Sequence, residues 1–115
     1  MSLDPDWIKD LFAGFGPVRL RRMFSGYGVF ASEDCIALAL NSGLCLRVDA
    51  QTRAVFEEIG AAPFTYEKKT GTVTVGAWWR LPDECVDDPD EIARLARLSL
   101  EVARRLPPKK KRAKR

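Results

Sequence analysis

Residues 21–30, Arg21-Arg22-Met23-Phe24-Ser25-Gly26-Tyr27-Gly28-Val29-Phe30, place apolar strand-like runs on both sides of a glycine-spaced turn, the pattern of a β-hairpin. Gly26 and Gly28 suit either a positive φ or a backbone lying close against a neighbour, while Met23, Phe24, Tyr27 and Phe30 supply bulk to bury. A Gly-x-Gly beside arginines could also cradle phosphate, but that needs a helix N-terminus after the glycines. Here Val29-Phe30 continue as strand, so the expectation is a structural hairpin.

Upstream, Asp4 suits an N-cap, Pro5 the first helical position, and Leu3 can pack on Ile8 as a staple. A helix over about 5–13 puts Trp7, Ile8, Leu11 and Phe12 on one face for core packing, and Gly14, Gly16 and Pro17 end it. The strand over 18–24 turns Val18 and Leu20 inward and Arg19 and Arg21 to water, and Arg22-Met23 breaks the alternation as a bulge would.

Downstream of the strand over 27–31, Ser32-Glu33-Asp34 is a polar turn. The strand over 35–40 sets Ile36, Leu38 and Leu40 on one face and Cys35, Ala37 and Ala39 on the other. Asn41-Ser42-Gly43 reads as a three-residue loop, and the return strand over 44–48 turns Leu44, Leu46 and Val48 inward. Pairing Leu40 with Leu44 puts Ala39 opposite Cys45. Cys35 and Cys45 then share a face but sit roughly 13 Å apart, too far for a disulfide. That small-sided face is open to cover by another element, by a second subunit, or to partial contact with water.

Asp49 is expected to cap a helix over about 50–59, with Val55, Phe56 and Ile59 inward and Gly60 as its stop. Ala62-Pro63-Phe64-Thr65-Tyr66 reads as a short extended stretch. Glu67-Lys68-Lys69-Thr70-Gly71 is a solvated turn whose lysines serve solubility or touch phosphate. Residues 72–79 alternate as a central or near-central strand, so Trp78 and Trp79 face opposite ways. Trp79 goes with the inward set; Trp78 is a lid on the second face or part of a contact surface. Asp88-Pro89-Asp90-Glu91 resembles a capping box opening a helix over 89–106. Its buried stripe is Ile92, Leu95, Ala96, Ser99, Val102, Ala103 and Leu106, and Arg94, Arg97, Glu101 and Arg104 face water.

These elements make an α+β domain of two layers: a mainly antiparallel sheet of about five strands with N-terminal, middle and C-terminal helices packed on it. At 115 residues, 46% apolar and 30% charged, the chain has room for one core. The net charge of +3 hides a division. Lys109, Lys110, Lys111, Arg112, Lys114 and Arg115 carry six positive charges, which leaves 13 basic against 16 acidic residues in 1–106. The expected organisation is a folded domain over 1–106 and a disordered basic tail over 107–115.

The tail is the one pronounced interaction signal, a candidate for sequence-independent contact with DNA or RNA. Histidine is absent, which removes the commonest general base and metal ligand. Cys35, Cys45 and Cys85 form no Cys-x-x-Cys and read as buried thiols. The acidic clusters Asp83-Glu84 and Asp87-Asp88-Asp90-Glu91 fall where helix caps want carboxylates, so no metal or cofactor site is expected from them. No catalytic residue is indicated. Neither a signal peptide nor a membrane span is evident, so the expected compartment is the cytoplasm. A pocket around Tyr27, Tyr66 and Trp78 would suit a small-molecule binder or enzyme, and a dimer joined through the Cys35 to Ala39 face would suit a scaffold.

Arg22-Met23-Phe24-Ser25-Gly26-Tyr27-Gly28, then Pro63-Phe64-Thr65-Tyr66, Trp78-Trp79 followed by Pro82, and Asp87-Asp88-Pro89 resemble, in order and spacing, the TfoX/Sxy N-terminal domain family. The resemblance covers about residues 5–105. It implies a small bacterial α+β domain with helices packed on an antiparallel sheet. Longer members regulate natural competence genes and work with the cyclic-AMP receptor protein at promoters, so the implied role is non-enzymatic regulation through protein contacts. This chain has the basic tail where those members carry a second domain, and Ser25 where the family often has a further glycine.

Overall fold

In a computed structural model, which describes residues 3–23 and 26–106, the chain runs α1 (Pro5–Leu11), β1 (Arg19–Met23), β2 (Gly26–Ala31), β3 (Asp34–Leu40), β4 (Gly43–Arg47), α2 (Arg53–Glu58), β5 (Ala62–Lys68), β6 (Gly71–Arg80), α3 (Asp83–Val86) and α4 (Pro89–Arg105). The fold is the expected α+β arrangement, with six strands in one antiparallel sheet ordered β1-β2-β3-β4-β6-β5. The additional strand is β5, which extends the stretch read as 62–66. It lies at the sheet edge, where Pro63 costs no ladder bond, and its pairing with β6 shifts between Pro63 and Phe64.

Helices α1 to α4 contribute to one core on one side of the sheet. Ile8, Phe12, Phe56, Ile92 and Leu95 are fully buried there with Val29, Ala37, Ala39, Leu44 and Leu46. No helix among the described residues is long and apolar enough to cross a membrane.

The hairpin between β3 and β4 differs from its expected register by one residue, and the side chains change faces accordingly. Leu40 pairs with Gly43, Ala39 with Leu44 and Leu38 with Cys45. The connection is therefore Asn41-Ser42 alone, and Gly43, at φ 142°, opens the return strand. Ala37 and Ala39 face the helices, where their small side chains leave room for α4, while Leu38 and Leu40 turn to the other face with Cys45. Ile36 still reaches the helix-side core, because a bulge in the β2–β3 pairing makes it the extra residue. The irregularity lies there and not at Arg22-Met23, whose pairing with β2 is continuous from Arg19↔Phe30 to Met23↔Gly26.

Helix ends show what the expected caps do. Asp4 accepts from the Asp6 N–H at 3.1 Å. Asp88 accepts from Glu91 N–H at 3.2 Å, but the Glu91 carboxylate turns to Arg94, so half of the capping box forms. Asp49 sits one turn before α2: its Oδ1 accepts from the N–H groups of Gln51 and Thr52, closing a turn that leads into the helix. A four-residue helix, α3, forms after Pro82 in a stretch whose sequence carries no helical periodicity. At the other end of α4, Leu106 has left the helix and is exposed, and Ala103 is half-buried, so the buried stripe ends at Val102.

Two polar ties anchor α4. Buried Ser99 donates through Oγ to the Arg47 carbonyl at 2.9 Å, and Arg105 donates through Nε and Nη2 to Asp49 Oδ2 at 3.0 and 2.8 Å. Burial opposes ionisation of Asp49, but hydrogen bonds from Arg105, Thr52 and Gln51 outweigh it and hold the carboxyl below its ordinary value of 3.8. A lowered folded-state value means the stabilisation is complete above pH 3.8 and disappears as pH falls through the folded value. Asp49→Asn should therefore lower the neutral melting temperature by a few degrees and flatten its decline below about pH 4. Thermal melts from pH 2 to 7 check this, and parallel acid limbs for the two proteins would contradict it.

Candidate functional site

The strand register defines a second face that carries no helix among the described residues. Cross-strand partners point the same way, so Leu38 with Cys45, Arg47 with Trp78, and Cys45 with Arg80 share this face, continued by Phe30 with Arg19 and Gly28 with Arg21. Leu38, Leu40 and Cys45 form a small apolar patch that Met23, Cys35, Phe64 and Trp78 partly cover. Gly28 makes this possible, because a Cβ there would collide with Met23 Sδ and crowd the Phe30 ring at 3.0 Å.

The outer layer of the face consists of cations and rings. Arg47 lies over the Trp78 ring at 4.4 Å and donates through Nε to the Cys35 carbonyl at 2.9 Å. Arg19 stands over Phe30 at 5.9 Å and donates through Nη2 to the Ser32 carbonyl at 2.7 Å. Arg80 crosses Gly43 and reaches the Ser42 carbonyl at 3.5 Å. Phe64 and Tyr66 stack with centroids 6.1 Å apart. Tyr66 is exposed, and Phe64 and Trp78 are half-buried.

Burial lowers the Arg47 guanidinium from its ordinary value, while Cys35 and Asp34 act the other way. Burial pushes the Cys45 thiol up to about 11 against the pull of Arg80, so at neutral pH it is a protonated thiol and a poor nucleophile. Cys85 is also pushed up by burial and by the carboxylates of Glu91, Glu84 and Asp88, against Arg94. Cys35, expected to be buried, is half-buried.

The residues singled out from sequence divide between the two faces. Trp79 is in the helix-side core, its Nε1–H donated to the Gly76 carbonyl at 3.0 Å, and Trp78 is on the open face, as adjacent strand positions require; the alternation expected over 72–79 does not run through, because the register shift pairs Val75 with Phe64 and Val73 with Tyr66. Tyr27 packs on the helix side, with Arg22 over its ring at 5.7 Å, whereas Tyr66 and Trp78 are on the opposite side. A pocket shared by Tyr27, Tyr66 and Trp78 is thus ruled out by the sheet between them. Cys35 and Ala39 also lie on opposite faces, so the proposed dimer surface from Cys35 to Ala39 does not exist as one face. Met23, Tyr27 and Phe30 are half-buried; Phe24 lies outside the described residues.

Gly26 serves close approach, since a Cβ would strike the Ala39 carbonyl oxygen. Pro82 precedes α3 as its N-cap. Pro63 lines an open groove of about 450 Å³ beside α2 with Val48, Asp49, Arg53, Glu57 and Trp79. Its charged groups are already engaged, Asp49 with Arg105 and Arg53 with Glu57. The tail cations Lys109, Lys110, Lys111, Arg112, Lys114 and Arg115 lie outside the described residues.

The convergence of Arg19, Arg21, Arg47, Lys68 and Arg80 on one face is not evident from the sequence. The signal was present as period-two spacing in Arg19/Arg21, Tyr66/Lys68 and Trp78/Arg80, but joining these runs needs the pairing of strands far apart in the chain.

In comparison with known families, the model described as the TfoX N-terminal domain matches residues 10–103. A comparison with curated proteins gives no match.

Proposed function

Since the chain belongs to the TfoX N-terminal domain family, we propose that it is a non-enzymatic regulatory or adaptor domain of transcription control that works by contact. The uncovered face, with Tyr66 exposed and Trp78 half-exposed among arginines, is the observation that carries this reading. Aromatic and arginine side chains supply most of the energy at recognition surfaces, and here they line one side of the sheet. The groups closest to enzyme chemistry have structural uses: Cys45 is a buried, protonated thiol, and Asp88 caps α4. In this reading the domain is cytoplasmic and bacterial. It engages a regulator of the cyclic-AMP receptor protein class in control of competence-type genes, and the six tail cations add attraction to nucleic acid.

The test is transcript profiling in a host lacking the gene and complemented with either the wild-type chain or Arg21→Gln/Tyr66→Ala. Deletion should change a defined set of transcripts that wild type restores and the double variant does not. Unchanged transcripts on deletion, or full restoration by the variant, would contradict the reading.

A further inference from the structure

We infer that the open sheet face binds single-stranded nucleic acid directly, placing phosphates on its strand cations and bases on exposed Tyr66 and the half-buried rings beside it. This deepens the proposal above and rests on its identification of the open face as the working surface. The first argument is the segregation of charge. Residues 1–106 carry three more acidic than basic groups. Yet the strand residues pointing to the open face include Arg19, Arg21, Arg47, Lys68 and Arg80 and no carboxylate. The two acidic strand residues, Asp34 and Glu67, fall on the helix-side register with Ala31 and Thr72. A mildly acidic domain thus presents one cationic surface, which a net charge conceals.

The second argument is how those cations are held. The ion pairs of the described residues join Arg53 to Glu57, Arg94 to Glu91, Arg104 to Asp34, and Arg105 to Asp49 and Glu101. None uses a cation of the open face. Arg19, Arg47 and Arg80 are instead oriented by backbone carbonyls, which fix a guanidinium without neutralising it. Such a group retains its charge for a phosphate oxygen.

The third argument concerns the rings. Phe64 and Tyr66 form a two-ring platform on the edge strand, and Trp78 with its Arg47 partner forms a second stacking element one strand away. An acidic peptide would answer the cations alone, whereas an unpaired strand answers both, since every base offers a π-face to an aromatic ring or a guanidinium plane. A duplex keeps its base faces stacked inside, out of reach of side chains on a sheet surface. Six strands at about 4.8 Å spacing span roughly 24 Å, a width suited to the short end of the roughly 4–16 nucleotide sites of small single-strand binders.

The test uses the full chain with the six tail cations changed to serine, so that tail contacts do not mask the face. A fluorescent 12-nucleotide oligo(dT) and a duplex of equal length are titrated by anisotropy over a range of salt. Retained binding, preference for the single strand and a salt slope near −3.5 for about five phosphates are expected. Tyr66→Ala should weaken binding roughly 5- to 100-fold while Tyr66→Phe retains it. Arg19→Gln/Arg21→Gln should reduce the slope by about 1.4. These positions are exposed, so the variants should fold, which circular dichroism melts would establish.

No binding by the tail-neutralised chain, preference for duplex, or indifference to both Tyr66→Ala and Arg19→Gln/Arg21→Gln would overturn the inference. If oligonucleotide binding fails while Arg21→Gln/Tyr66→Ala still abolishes the transcript effect, the face docks a protein: this inference falls and the regulatory reading stands. Oligonucleotide binding on the face with no transcript effect on deletion has the opposite meaning.

Discussion

Gly26→Ala is expected to lower the melting temperature by roughly 10–20 °C, a loss of about 3 kcal/mol. A Cβ at position 26 would meet the carbonyl oxygen of Ala39, the Ala39 carbonyl carbon at 3.0 Å and the Leu40 Cα at 3.1 Å. All of these are backbone atoms of the neighbouring strand, and they cannot rotate aside without opening the sheet. Gly28→Ala provides the internal comparison. Its Cβ would meet the end of the Met23 side chain, which can swing away, and the Phe30 ring, so its cost should be smaller. Equal melting temperatures for the two variants would mean that β2 and β3 do not approach as described.

Trp79→Ala should cost about 3–5 kcal/mol, because it empties a large volume in the helix-side core and removes the hydrogen bond to the Gly76 carbonyl. Trp78→Ala should cost less. Its ring is half-buried on the uncovered face, and what it loses is the Arg47 contact and part of the cover over Cys45. The arginine contact is worth about 0.5–2 kcal/mol. Urea unfolding of both variants measures the difference. A larger loss for Trp78→Ala would reverse the assignment of the sheet's two faces.

Much of this fold could be read locally. Asp4 and Pro5 mark the first helix, Asp88 and Pro89 the last, and the alternation through Trp78-Trp79 assigns one tryptophan to each face. The errors within the sheet share one cause, which is that register is decided across strands. A two-residue loop at Asn41-Ser42 and a three-residue loop ending at Gly43 look alike in sequence. The choice between them sends Ala39 to the helices or to the open side. Ile36 is inward only because of a bulge opposite Val29-Phe30, which no spacing within β3 announces. The candidate site was less legible than the fold for the same reason. Arg19, Arg47 and Arg80 are far apart in the chain, and their shared face follows only from the order β1-β2-β3-β4-β6-β5.

The three tryptophans allow the most direct test of the claim that the uncovered face is the working surface. Trp7 is on α1 and Trp79 in the helix-side core, while Trp78 lies on the open side under Arg47. In a ¹⁵N-labelled full chain their indole N–H groups give three separate reporters during titration with the 12-nucleotide oligo(dT). The account expects the Trp78 indole signal to move with the amides of the surrounding strands, while the signals of Trp7 and Trp79 stay in place. Movement of Trp7 or of the α4 amides with Trp78 unchanged would contradict it.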